Sequence, residues 1–222
     1  MNLFSVNKNS DRSALSRSIR RLEQDVLRMG TLVEESFRLA CQCLFDRNLD
    51  AVKKIAELEA RIDEYYRQIE SDCVNIIALK TPVARDLRLL SAYMQLIIDL
   101  ERIGDYAEEI SQIAVKLFSY PAHDCLSEIE EMSDRTQLML ATSLLALTDM
   151  DVSTASNLKT LDNIIDKAYD RLYQVLAYQK DIKGVVEPIL LLGLLICHLE
   201  KTASHAANIG ERVSFIVTGE RN

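Results

Sequence analysis

The chain has 222 residues and carries 26 Lys plus Arg against 34 Asp plus Glu, a formal net charge of −8 with no basic block to neutralise phosphates, which argues against a nucleic-acid-binding surface. Hydrophobic residues make up 48%, ample for a buried core, while six Gly, three Pro and no Trp leave little punctuation and suit long helices with few turns. Five cysteines (Cys41, Cys43, Cys73, Cys125, Cys197) are odd in number and lack C-x-x-C spacing, so they read as small buried apolar residues rather than a disulfide frame or thiolate metal site.

The stretch Met1–Arg12 is polar and lacks the layout of a signal peptide, which predicts a cytoplasmic protein. Asp11 is a plausible N-cap for a first helix to about Phe45, with Leu22, Val26, Met29, Val33, Phe37, Ala40 and Leu44 along one face. Asn48 and Asp50 interrupt, and Val52, Ile55, Leu58, Ile62, Tyr65 and Ile69 mark a second helix. Thr81-Pro82 breaks it, because the residue before proline avoids the helical region and proline suits a first helical turn, so a third helix is predicted from about Pro82 to Ser119. Tyr120-Pro121-Ala122-His123-Asp124 reads as a linker in which His123 needs no role.

Beyond it, helices are predicted from about Asp124 to Leu147 and from about Asp151 to Gln179, followed by a break at Lys183-Gly184 and a last helix that Gly219 closes. The run Val185–Cys197 is nearly apolar, but its 13 residues include Glu187 and Pro188 and fall short of the ~20 that a membrane span needs, so no crossing is expected. No stretch shows the period-two alternation of a strand.

The chain also says the same thing twice. Adding 103 to Met29, Leu44, Asp46, Leu58, Ile62, Asp63 and Tyr66 gives Met132, Leu147, Asp149, Leu161, Ile165, Asp166 and Tyr169. Later the offset is 99: Leu96, Ile97, Leu100, Glu101, Ala107 and Ile110 recur as Leu195, Ile196, Leu199, Glu200, Ala206 and Ile209. The expected fold is therefore all-α, six long helices as two tandem antiparallel three-helix bundles, residues 1–120 and 121–222.

Glu101 and Asp105 are four apart on one helix face, with Glu109 a turn further along. Like charges at that spacing destabilise a helix by a few tenths of a kcal/mol, so something positive should offset them. The second helix offers Glu59 and Asp63 at the same spacing, and the second repeat offers the ladder Asp162, Asp166, Asp170, with Glu200 standing where the first repeat has Glu101. Carboxylates converging from neighbouring helices are how bundles hold hard or borderline cations, although a single acidic pair is commonly just a solvated face. Recurrence at equivalent places favours a metal-capable face. Tyr65, Tyr66, Tyr169, Tyr173 and Tyr178 read as core or interface aromatics, and Arg85, Asp86 and Arg88 as ion pairs fixing the turn into the third helix, with anion binding as the alternative.

The segment Asp99-Leu100-Glu101-Arg102-Ile103-Gly104-Asp105-Tyr106-Ala107, preceded by Thr81-Pro82-Val83-Ala84-Arg85-Asp86-Leu87-Arg88, closely resembles signature stretches of the PhoU family of phosphate-signalling regulators. Asn208-Ile209-Gly210-Glu211-Arg212-Val213 and Val217-Thr218-Gly219 resemble that family's C-terminal phrase. The resemblance runs from about Ser16 to Gly219. It implies a PhoU-like fold of two three-helix bundles, homodimers, and iron or zinc clusters on E/D-x-x-x-D faces. It further implies regulatory partnership with the phosphate ABC transporter and its sensor histidine kinase, so that the membrane is reached only through protein partners.

The second repeat departs from the pattern, with Lys201-Thr202-Ala203-Ser204 where the family has R-I-G-D. Serine is a poor cation ligand beside a carboxylate, so the second site is expected to be weaker, with Asp162, Asp166, Asp170 and Glu200 forming at most part of it. His198 and His205 lie seven apart on roughly one face; as ligands they would favour zinc, and otherwise they are packing residues. The expected function is regulation by contact and no enzyme activity, because the Glu-x-x-His pairs of di-iron catalysts, a nucleophile–base pair and a Gly-rich phosphate loop are all missing. The alternatives are a carboxylate-bridged metal enzyme and a metal-free helical interaction module.

Overall fold

A computed structural model describes residues 3–180 and 184–220, with side chains of the first helix described from residue 13. Six helices follow one another: α1 (Leu3–Phe45), α2 (Ala51–Lys80), α3 (Arg85–Leu117), α4 (Leu126–Asp149), α5 (Val152–Ala177) and α6 (Glu187–Thr218). There is no strand among the described residues. α1, α3, α6 and α4 form a closed ring in which each touches the next, α2 packs on α1 and α3, and α5 packs on α4 and α6. Each repeat is thus a three-helix bundle, and the repeats meet mainly through α3 against α6, with α1 against α4 beside them.

The predicted apolar stripe of α1 is the buried one: Leu22, Val26, Met29, Val33, Phe37, Ala40 and Leu44 all lie in the core. Tyr65, Tyr66 and Tyr169 are half-buried against that core, but Tyr173 and Tyr178 face solvent, 50% and 73% exposed, because α5 has no helix on its outer side. All five cysteines are free thiols, and burial pushes Cys41 up to about 11 and Cys73 up to about 12, which keeps them protonated.

Helix ends differ from expectation where local chemistry was misjudged. α1 begins at Leu3, so Asp11 lies inside it; no Gly or Pro interrupts residues 3–29. α3 begins at Arg85 rather than Pro82, because the chain first turns through two positive-φ residues, Thr81 (φ 41°) and Ala84 (φ 51°). Arg88 reaches across to α6, donating from Nε to the Ile216 carbonyl at 3.1 Å, instead of pairing within its own turn. α4 starts at Leu126, two residues later than Asp124. Asp151, where the helix was expected to begin, caps α5 instead, accepting from Ser153 N at 2.9 Å and Thr154 Oγ1 at 2.6 Å. Of the predicted break before α6, Lys183 lies outside the described residues and Gly184 has φ 98°.

Gly219 ends α6 in the left-handed conformation (φ 86°), its N–H bonded to Phe215 O at 2.9 Å, and a Cβ there would run into the Arg88 guanidinium. α6 is longer than the apolar run Val185–Cys197 and by length and composition could cross a membrane, but 44% of its most apolar window is buried, and it packs on α3, α4 and α5 as a core helix does.

Candidate functional site

Close helix packing builds the acidic face of the first repeat. Ile62 of α2 sits over Gly104 of α3, where an added Cβ would lie 3.1 Å from Ile62 Cδ1. The missing side chain brings Glu59 and Asp63 opposite Glu101 and Asp105. Burial and then the repulsion of Asp63, Glu108, Asp105 and Glu101 raise the pKa of Glu59; burial and Asp105 raise Glu101, and burial, Asp63 and Glu109 raise Asp105 against the pull of Arg102. The positive offset expected from sequence is Arg102, 3.6 Å from Glu101 and 3.2 Å from Asp105, with Arg67 3.4 Å from Asp63. Glu108, which the sequence reading missed, belongs to this face. Glu109 is turned aside and lies 3.2 Å from His198 Nε2.

The second face, on α5 and α6, gathers Asp162, Asp166 and Glu200. Burial followed by Asp166 and Glu200 raises Asp162, and burial, Glu200 and Asp170 raise Asp166. Asp170 is the outermost rung, exposed to solvent. At the position of Asp105 the Ser204 hydroxyl donates to Glu200 at 3.2 Å, and Lys201 binds Glu200 at 3.0 Å. One carboxylate oxygen of Asp162 is buried without a hydrogen-bond partner.

Between the faces runs a polar seam that the sequence reading did not foresee. Asp99 is 6% exposed and accepts from Asn208 Nδ2 at 3.0 Å and from His205 Nδ1 at 2.8 Å. Tyr106 stacks on His198 at 5.3 Å between centroids and leans on His205 at 5.9 Å. The 99-residue offset maps Asp99 onto His198, Tyr106 onto His205 and Glu109 onto Asn208. Each contact therefore has its mirror: Asp99 with His205 answers His198 with Tyr106, and Asp99 with Asn208 answers His198 with Glu109. That offset, applied to the polar positions of α3, is the signal that could have found the seam.

No three His, Cys, Asp or Glu side chains converge as a ready ligand set among the described residues. The faces nevertheless fit a cation by their chemistry: crowded oxygen donors whose mutual repulsion a positive ion relieves, and an orphaned Asp162 oxygen in the second.

Fold and faces define a class, a duplicated three-helix-bundle protein with an acidic face on each repeat and a mirrored seam between them. The sequence matches the PhoU domain twice, over residues 26–114 and 129–213. A phosphate-specific transport system accessory protein PhoU homolog from Synechocystis sp. is 56% identical over 96% of this chain and 95% of its own. One of the same description from Deinococcus radiodurans is 30% identical over 95% of this chain and 99% of its own. Two crystal structures superpose closely. PhoU from Pseudomonas aeruginosa has a TM-score of 0.88 at 28% identity, covering 92% of this chain and 99% of that one. The phosphate transport system regulatory protein PhoU from Streptococcus pneumoniae has 0.84 at 27%, covering 94% and 99%. The chain belongs to the PhoU family.

Proposed function

We propose that this protein regulates phosphate uptake and phosphate-responsive signalling in the cytoplasm, by binding the phosphate ABC transporter and its sensor histidine kinase as a homodimer. The observation that carries the reading is near-full-length similarity to phosphate-specific transport system accessory proteins, above all the relative at 56% identity. It acts by contact rather than turnover. That reading rests on the accessory-protein descriptions of the relatives it matches. Metal on the acidic faces serves structure or sensing. Glu59, Asp63, Glu101 and Asp105 would hold it in the first repeat, and Asp162, Asp166 and Glu200 more weakly in the second. All-oxygen donors suit hard cations, and of the two ions the family resemblance implies, ferric iron is the harder. The ion would supply the positive charge that Arg102 now provides in part.

The test is phosphate uptake and phosphate-responsive gene expression in a deletion strain grown in high phosphate. Uptake that stays derepressed supports the reading. Wild-type behaviour in both, with no second copy of the gene present, would overturn it.

A further inference from the structure

At the end of the ring where α1 and α3 stop and α6 begins, a cavity of about 500 Å³ opens between the repeats. The first repeat supplies Leu44, Phe45, Leu117 and Phe118 to its wall, and the second supplies Ile189 and Leu192. Its size falls in the range of about 300–1,000 Å³ typical of small-molecule sites, and its lining is mainly apolar. The linker is pinned over it: the Tyr120 hydroxyl donates to Glu187 Oε2, His123 Nδ1 accepts from Cys125 N at 3.2 Å, and its other nitrogen therefore donates to Gln179.

Among the described residues one full charge lines the cavity. Although the chain is acidic overall, no Asp or Glu is among the described lining residues, while Arg47 is. Its guanidinium lies 5.5 Å from the centroid of the Phe118 ring and forms no ion pair among the described residues. Arg47 occupies a left-handed turn position (φ 56°). The corresponding turn of the second repeat has Met150 in the same conformation (φ 50°), 103 residues on, so the conformation is shared and the charge is not.

We propose that this cavity binds a small amphiphilic carboxylate, a single apolar chain seated between Phe45, Leu117, Ile189 and Leu192 with its head on Arg47. A guanidinium matches a carboxylate in two hydrogen bonds, and the aromatic face beneath holds it at the rim. Because the walls come from both repeats, the occupant bridges them and stabilises their contact by mass action. The inference is independent of the regulatory reading above.

Calorimetric titration of the full chain with decanoate, below its micelle concentration, tests this, with decanol and inorganic phosphate as comparison probes. The expected result is one saturable decanoate site and no phosphate binding. Arg47→Gly, which glycine's tolerance of positive φ lets fold, should weaken decanoate about tenfold, roughly 1.4 kcal/mol, and leave decanol unchanged. Ala122→Trp, at an exposed linker position on the rim, should abolish both. No saturable decanoate binding, equal affinity in Arg47→Gly, or undiminished binding in Ala122→Trp, with helical circular dichroism intact, would overturn the proposal.

Discussion

In the first repeat Asp105 adds a fourth carboxylate to Glu59, Asp63 and Glu101, whereas the second repeat has Ser204 there, whose hydroxyl donates to Glu200. The replacement converts a charged acceptor that repels into a neutral hydroxyl that donates. Lys201 adds a cation on the same carboxylate, so Glu200 is already answered from within α6. In the first repeat Arg102 is divided between two carboxylates, and burial still holds both of them above their ordinary range. One backbone plan thus presents four facing carboxylates in one half and, in the other, three with a hydroxyl in place of the fourth.

Packing differs in parallel. Gly104 is the close-approach point of α3 on α2, and Ala203 stands at its equivalent in α6. α6 instead approaches α5 at Gly210, where a Cβ would lie 2.6 Å from Leu158 Cδ1 and 3.0 Å from the Ala155 carbonyl oxygen. The largest expected effect follows: Gly210→Ala should destabilise by about 2–3 kcal/mol, because backbone cannot move aside as a side chain can. At Gly104 the neighbour is the end of an isoleucine, and alanine gains roughly 1 kcal/mol of helix propensity. Gly104→Ala should therefore be within about 1 kcal/mol of wild type. Denaturant melts of the pair check this, and equal losses would show that the two close approaches are alike.

The seam offers a second comparison across the mirror. Asp99→Ala removes the acceptor of two partly buried donors, His205 and Asn208, and should cost about 2 kcal/mol. His198→Ala leaves behind Glu109, half exposed to solvent, and the stacked face of Tyr106, and should cost about 1 kcal/mol. Reversed magnitudes in the same melts would place the stronger side of the seam at His198.

Smaller still is a pH effect at His198. Burial lowers the pKa of His198 below its ordinary 6.5, against the pull of Glu109. The unfolded chain therefore binds a proton that the folded chain refuses, so this contribution is intact above pH 6.5 and is lost as pH falls below it. Carboxylates raised as Glu101 is have the opposite sign, since stability falls as pH climbs through the window above 4.5. His198→Gln should flatten the loss as pH falls below 6.5 in thermal melts, and an unchanged slope would assign that loss to other groups.

Much of this was legible in the sequence, because helical periodicity and an internal repeat are properties of the chain itself. Leu22 through Leu44 reads as a buried stripe without knowing what buries it, and the facing of Glu59 and Asp63 on Glu101 and Asp105 needed only antiparallel neighbours. What was not legible depends on which helix of one repeat meets which helix of the other. Asp99, His205 and Asn208 converge across the α3–α6 contact, and Arg88 finds its acceptor 128 residues away. Tyr173 and Tyr178 lie outside the core for the same reason, since helical spacing cannot tell whether a face has a neighbour within the chain.

The central claim is that the acidic faces are cation sites of unequal strength. Anomalous diffraction from crystals of the wild-type protein grown with ferric iron or zinc tests it most directly, alongside Glu101→Ala/Asp105→Ala and Ser204→Asp. The account predicts higher occupancy between α2 and α3 than between α5 and α6. It also predicts loss of the first site in the double variant and a gain at the second on Ser204→Asp. Equal occupancy in both halves of the wild type, or metal unchanged by the double variant with the fold intact, would contradict it.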